Sequence, residues 1–262
     1  MAENFRKENL RPLVEGHSFT EGPTLTENGD LLFTSPKKNA IVRYSIGHQS
    51  TSLFYRGEFS VSALFQRDAL YATQGSRKRV ILIQSPDRFV PLADTYKGRP
   101  FNKPNDLWVS PAGHVYFTDP NYGRNPLSQD GEFAYMIRQG GEVSRIDATF
   151  KRPNGIVGSE DGKTLFITDA GDSKTYKFLL DEKGNPGPQT LFTEIGGDGM
   201  TLDRHGNLYL GVPRQKALVV MNPRGREIGR ISDFGCTNLC FGPDGKTLYI
   251  TRKPGLWALT IY

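Results

Sequence analysis

Gly162-Lys163-Thr164-Leu165-Phe166-Ile167-Thr168 is a tight turn followed by an apolar strand that ends on threonine, and the chain repeats this phrase. Gly29-Asp30-Leu31-Leu32-Phe33-Thr34, Gly113-His114-Val115-Tyr116-Phe117-Thr118, Gly206-Asn207-Leu208-Tyr209-Leu210-Gly211 and Gly245-Lys246-Thr247-Leu248-Tyr249-Ile250-Thr251 are further copies. Asp68-Ala69-Leu70-Tyr71-Ala72-Thr73 is a degenerate sixth. The closing positions 34, 73, 118, 168, 211 and 251 lie 39, 45, 50, 43 and 40 residues apart. A period of about 40 to 50 residues, with several short strands per unit and Gly/Pro/Asp turns between them, is the pattern of a β-propeller.

Each unit divides into four strands. In the third, the pattern predicts an inner strand over 105–110, a second over 114–118 and a third over 141–147, with a long connection over 120–140. In the fourth it predicts strands over 154–158, 164–168 and 174–180 and an outer one near 188–193. Aromatic and β-branched residues dominate these stretches, as strands require. No stretch has a helical apolar period, and 29 Gly with 17 Pro would interrupt one. Six units fill the 262 residues, which predicts an all-β, six-bladed propeller of four-stranded antiparallel blades as a single domain over 1–262. The last unit ends after its third strand, at Gly255–Tyr262, which would leave an open sheet edge. A segment near Glu8–Val14 is expected to supply the missing strand and close the ring.

Counting back from the closing positions exposes a second regularity. Thirteen residues before 34, 118 and 211 stand Glu21, Asn105 and Asp198, and fourteen before 168, whose turn is one residue longer, stands Asn154. In a propeller the inner strands of all blades start at one face, so residues at one register converge on the mouth of the central tunnel. Two carboxylates brought together repel unless a positive charge lies between them. Glu21, Asn105, Asn154 and Asp198 are therefore candidate ligands of one divalent cation, all oxygen donors of the kind hard ions prefer. Ca²⁺, Mg²⁺ and Mn²⁺ all suit such a donor set, which lacks the thiolates or imidazoles of a typical zinc site. Asn154-Gly155 and Asp198-Gly199 are also common turn pairs, so each residue taken singly has a structural reading as well. The other two units place Ser60 and Thr237 at this register, hydroxyls expected to hold water beside the cation.

Substrate contacts are expected from the loops on the same face. Asp119-Pro120-Asn121-Tyr122-Gly123 opens the long connection of the third unit, and long loops in compact domains often bind ligands. Arg99, Asn102, Lys103 and Asn105, with Asp119 and Tyr122, are the candidate substrate-binding residues. Among the histidines, His114 and His205 follow turns at the opposite face, and only His17 stands near the register, so a Ser-His-Asp triad has no base. No phosphate loop or dinucleotide fingerprint is present.

Composition narrows the partners. Net charge is +5, from 33 basic and 28 acidic residues, and the basic run Arg77-Lys78-Arg79 lacks the interleaved aromatics of a nucleic-acid site. No apolar run approaches the roughly 20 residues of a membrane helix, and Met1–Lys7 has no apolar signal core. The expectation is a cytoplasmic protein, or a periplasmic one whose export signal was removed, acting as a monomer or weak homodimer without nucleic acid or membrane. Cys236 and Cys240 are four positions apart, about 13 Å in a strand rising about 3.3 Å per residue, too far for a disulfide. Both are expected to be buried thiols.

Several phrases resemble the gluconolactonase/SMP-30 (regucalcin) family of six-bladed propellers. They are Phe19-Thr20-Glu21-Gly22-Pro23, Lys103-Pro104-Asn105-Asp106-Leu107, Tyr116-Phe117-Thr118-Asp119-Pro120, Pro153-Asn154-Gly155-Ile156 and Asp198-Gly199-Met200, in order over nearly the whole chain. The resemblance implies one divalent metal held by Glu21, Asn154 and Asp198 with Asn105 at or beside it. It also implies hydrolysis of sugar lactones, with Asp198 activating water. Related propellers hydrolyse organophosphates with an oxygen-ligated calcium, so a phosphotriesterase or esterase is the alternative, and a non-catalytic metal-binding propeller another. Lys103 stands where the regucalcin branch has arginine, as in the microbial gluconolactonase branch. The second unit departs from the family at Val61-Ser62-Ala63-Leu64 and Thr73-Gln74-Gly75.

Overall fold

The computed structural model describes residues 5–123 and 125–261. Its regular structure is strand, apart from short 3₁₀ turns such as Pro36–Lys38, Gly75–Arg77 and Pro213–Gln215. Among the described residues no helix is long and apolar enough to cross a membrane.

Six four-stranded antiparallel sheets follow one another along the chain. The first comprises Glu21–Leu25, Leu31–Ser35, Ala40–Ser45 and Ser50–Arg56, and the second Leu64–Gln66, Leu70–Gln74, Arg79–Ser85 and Arg88–Ala93. The third comprises Leu107–Val109, Val115–Asp119, Phe133–Ile137 and Val143–Arg145, and the fourth Pro153–Gly158, Thr164–Asp169, Lys174–Leu179 and Thr190–Thr193. The fifth comprises Met200–Leu202, Leu208–Val212, Ala217–Met221 and Glu227–Ile231. In the sixth, Asn238–Phe241, Thr247–Arg252 and Gly255–Thr260 are joined by Leu10–Val14, from the start of the chain. These are the blades of a six-bladed propeller.

The expected closing strand is present. Leu10 pairs with Leu259, Arg11 with Ala258, Pro12 with Trp257 and Val14 with Leu256, antiparallel. Residue 255 must be glycine, because a Cβ there would run into the Val14 carbonyl.

Burial within each sheet falls from the inner strands outward. Leu31–Ser35, Val115–Asp119 and Leu208–Val212 are buried at every residue, whereas Ser50–Arg56 and Glu227–Ile231 are largely exposed. An unbroken apolar run such as Val115-Tyr116-Phe117 is what a strand covered on both faces needs.

By contact density the chain forms two compact units, residues 1–66 with 198–262 and residues 67–197. The first has a core around Tyr209, Leu218, Val220, Leu239, Leu248 and Ile250, onto which Phe5 and Leu10 pack. A second cluster there joins Leu31, Phe33 and Val42 to Tyr249, Leu256 and Ala258, with Leu13 and Val14 against it. The second unit is centred on aromatic rings. Phe101 meets Phe117 at 5.0 Å and Tyr135 at 5.2 Å, and Trp108 meets Tyr116 at 5.3 Å.

One strand assignment needs correction. The third strand of the third sheet is Phe133–Ile137, and 143–145 is its outermost strand, so the expectation of a third strand over 141–147 is displaced by one element. Gly140-Gly141 is the hairpin turn between the two, with the Gly141 amide bonded to the Arg138 carbonyl. The long connection therefore covers about 13 residues, 120–132, rather than 120–140.

Candidate functional site

Four of the five closing threonines bond toward the next sheet, which their position in the repeat did not reveal, while Thr251 Oγ1 donates to the Asn238 carbonyl of its own sheet at 3.0 Å. Thr34 Oγ1 donates to the Ser62 carbonyl at 2.9 Å, Thr73 to the Asn105 carbonyl at 2.5 Å, Thr118 to the Asn154 carbonyl at 2.5 Å and Thr168 to the Gly197 carbonyl at 3.2 Å. Each bond runs to the start of the next inner strand, at or beside the register of the candidate ligands. All four threonines are fully buried, where an unpaired hydroxyl would be costly. In the fifth sheet Gly211 replaces threonine because Cys236 crowds it: a Cβ would stand 2.8 Å from both the Cys236 carbonyl oxygen and its Sγ.

In the 67–197 unit Asn105 and Asn154 come together. Asn105 Nδ2 donates to Asn154 Oδ1 at 2.6 Å, and Asn154 Nδ2 donates to the Tyr122 hydroxyl at 2.7 Å. The Tyr122 hydroxyl thereby anchors the far end of the Asn154 amide. The amide oxygen has two lone pairs, of which Asn105 uses one. The Asn105 amide is itself tied to the Thr118 carbonyl at 2.9 Å.

In the other unit Glu21 opens its strand opposite Thr34, with an irregular register before Thr24. Gly22 has a φ of 44° and lies against the Ala63 backbone, so no side chain fits there. Glu21 Oε2 accepts the Gly22 amide at 3.1 Å. Asp198, half-exposed, donates its amide to the Gly211 carbonyl at 2.8 Å. The buried Cys236 thiol registers both acids: burial pushes its pKa up first, Asp198 and Glu21 add to the rise, and Arg252 opposes it. Burial likewise pushes Cys240 up to about 12, although of the two expected buried thiols Cys236 is fully buried and Cys240 partly exposed.

The candidate substrate contacts divide. Asn102 and Asp119 are buried and their side chains are bonded to the backbone. Asn102 Oδ1 accepts the Ser128 and Gln129 amides at 2.8 and 3.1 Å, and its Nδ2 donates to the Gly131 and Asp119 carbonyls at 2.8 and 3.3 Å. The Asp119 carboxylate accepts the Asn102 and Lys103 amides at 2.8 and 2.7 Å. Burial nevertheless pushes its pKa up to about 7, against those two amides. Asp169 takes the Lys151 and Arg152 amides in the same way at 2.7 and 2.8 Å. These aspartates clamp the segments that lead into Asn105 and Asn154.

Arg99, Lys103 and Tyr122 remain on the surface or half-buried. Arg99 lies on the hairpin Thr95–Tyr96 with Arg99–Pro100, and Lys103 Nζ donates to the Tyr122 carbonyl at 2.8 Å. The Thr237 hydroxyl, expected to hold water beside the cation, donates to the Thr20 carbonyl at 2.7 Å. His17 is spent on Ser35 Oγ at 3.0 Å and packs edge-on against Phe33.

One residue was missed. Arg152, two before Asn154 as Lys103 is two before Asn105, lies over the Tyr122 ring at 5.5 Å and pairs with Glu132 at 3.6 Å. Glu132 also accepts the Asn121 amide at 3.0 Å, so the loop that carries Tyr122 is pinned from both sides. The matching cation two residues before each asparagine was the available signal.

Among the described residues no three His, Cys, Asp or Glu side chains cluster. A ligand set of two carboxylates and two amides contains only two such groups, and its donors are all oxygen. That chemistry, with the Asn154 amide anchored by Tyr122, fits a hard divalent cation.

The family model described as the SMP-30/Gluconolactonase/LRE-like region matches residues 19–253. A gluconolactonase of Zymomonas mobilis is 31% identical over 275 residues, covering 90% of this chain and 76% of the relative. Other curated lactonases are matched over 41% to 58% of their own length. A gluconolactonase structure from Xanthomonas campestris superposes with a TM-score of 0.88 at 22% identity, covering 97% of this chain and 89% of the other. The calcium-binding protein regucalcin of Agrobacterium tumefaciens superposes with a TM-score of 0.80 at 19% identity, covering 95% and 92%.

Proposed function

The chain belongs to the SMP-30/gluconolactonase/LRE-like family, and on that footing we propose that it is a lactonase that opens sugar lactones to aldonic acids. The observation that carries the reading is a family match over nearly the whole chain that encloses a register of two carboxylates and two amides. Glu21, Asn105, Asn154 and Asp198 would hold one divalent cation, Ca²⁺ first among the candidates. When bound, that ion supplies Lewis-acid polarisation of the lactone carbonyl and neutralises the two carboxylates.

The protein's own groups do the rest. Asp198, half-exposed like Glu21, takes the proton of the attacking water and passes it to the departing ring oxygen. Glu21, held by the Gly22 amide, supplies charge to the site. Asn105 and Asn154 fix geometry without adding charge, and Tyr122 anchors the Asn154 amide. Lys103 and Arg152, beside Tyr122, are placed to bind the hydroxyls of a sugar ring.

The test is hydrolysis of aldonolactones by metal-stripped protein before and after return of Ca²⁺, Mg²⁺, Mn²⁺ or Zn²⁺. Activity should return with metal, and Asp198→Ala should lower kcat by about 10² or more, as loss of a general base does, without unfolding the chain. Full turnover by protein shown to be free of metal overturns the cation. Absence of turnover on every sugar lactone in the presence of metal overturns the lactonase.

A further inference from the structure

The position after each closing residue is occupied in turn by Ser35, Gln74, Asp119, Asp169, Val212 and Arg252. In the third and fourth sheets it is an aspartate consumed by two loop amides. In the sixth it is a cation with no such duty. The Arg252 backbone is anchored by Thr20, the residue before Glu21: its amide donates to Thr20 Oγ1 at 3.2 Å, and Thr20 Oγ1 donates to its carbonyl at 2.8 Å. The guanidinium lies over the Phe234 ring at 4.1 Å and beside Trp257 at 5.3 Å, so two aromatic faces hold it in place.

Among the described residues this guanidinium forms no ion pair with a carboxylate. Its Nε is buried without a hydrogen-bond partner, although the residue is half-exposed. Burial lowers its pKa, which marks a cation that has lost water and gained no counter-ion. Thr20 directly precedes Glu21, and its carbonyl accepts from Thr237, whose own carbonyl accepts the amide of Gly199, next to Asp198. The arginine is therefore on the side of the candidate acids, pre-positioned and uncompensated.

We propose that Arg252 binds the carboxylate of the opened product, an aldonate, and so distinguishes the product anion from the neutral lactone. The assignment rests on the lactonase reading for its ligand. Ring opening consumes one water and yields one carboxylate and one proton, and the carboxylate is the one charged group on the product that the lactone lacks. A rigid guanidinium fork matches that group in a bidentate pair, and a neutral ring does not call on it.

Gluconate is the probe. Titration of the metal-loaded protein, followed by tryptophan fluorescence because Trp257 lies beside the guanidinium, should give saturable binding in the wild type. Arg252→Gln should weaken gluconate about 10-fold or more, while KM for the neutral lactone moves less than about twofold. Arg252→Lys, which keeps the charge, should recover part of the affinity. Equal gluconate affinity in Arg252→Gln and wild type, equal weakening of gluconate and lactone, or no gluconate binding by the wild type each overturns the assignment. Lactone turnover by the wild type is scored separately: its absence counts against the lactonase reading, while the gluconate titration still decides Arg252.

Discussion

Replacing Thr118 by valine isolates the bond that joins one inner strand to the next. The residue is fully buried, donates to the Asn154 carbonyl at 2.5 Å and accepts the Asp106 amide at 3.3 Å. Valine keeps the shape and removes both bonds. A net loss of about 1 kcal/mol per bond, with a buried carbonyl left short of a donor, places the cost at about 2 to 3 kcal/mol. At roughly 2 to 4 °C per kcal/mol for a chain of this size, the melting temperature should fall by about 6 °C. Urea unfolding of wild type, Thr118→Val and Thr118→Ser separates the causes, because serine keeps the hydroxyl and loses only a methyl. The exposed Thr51→Val is the control for valine itself. The valine variant should also hold the divalent cation less tightly, since Asn154 loses its backbone anchor, and the serine variant should not. A stability of Thr118→Val within about 0.5 kcal/mol of wild type would refute the reasoning, as would a serine variant that is the less stable of the two.

Two further outcomes follow from buried groups. The Asp119 carboxyl titrates at an ordinary 3.8 when unfolded and at about 7 when folded, so stability from its protonated form is complete below 3.8 and is lost as pH rises to 7. The loss is about 4 kcal/mol, and the stability difference between wild type and Asp119→Asn should fall by that order from pH 4 to pH 7 in denaturant titrations; a pH-independent difference would contradict it. Gly211→Ala should cost about 1 to 3 kcal/mol, because its Cβ meets Cys236 at 2.8 Å, and combining it with Cys236→Ala should restore only the part owed to the sulfur. A Gly211→Ala protein as stable as wild type would mean that the strand can shift at no cost.

Much of the fold was written in periodicity. The closing residues gave the number of sheets and their order, and the truncated last unit required Leu10–Val14 to complete it. The third sheet went astray because Phe133-Ala134-Tyr135-Met136-Ile137 sits inside a stretch rich in Gly and Pro, where turn residues mask a strand. At the site, residue type and register singled out Glu21, Asn105, Asn154 and Asp198 as candidates, and the structure brings Asn105 and Asn154 together. Type and register did not reveal which polar side chains the backbone would consume. Asn102 resembles a ligand residue in sequence, yet the path of a loop about 30 residues further on claims both ends of its amide. Arg152 and Arg252 escaped notice for the converse reason. Their partners are rings at 5.5 and 4.1 Å, brought to them by loops that no local pattern encodes. The closing threonines offered a clue that went unused, since a hydroxyl on a wholly buried strand must bond to something.

The threonine bonds also explain how one scaffold can keep a fixed set of donors while its loops change. The Asn105 and Asn154 carbonyls are each held by the threonine of the preceding sheet, and Gly197, before Asp198, is held by a third. The amides of Asn105 and Asp198 are bonded to their own closing strands at 2.9 and 2.8 Å. The donor side chains therefore spring from backbone fixed on both its polar groups or on its immediate neighbour, and little conformational entropy remains to be lost when a ligand binds. Tyr122, Lys103 and Arg152 belong to a different layer, carried on or pinned to the connection over 120–132. Changes in that connection alter what surrounds the amides without moving the backbone from which they project. Substrate choice can thus drift at the loops while the donor register, tied to the stability of the sheets themselves, stays where the repeat put it.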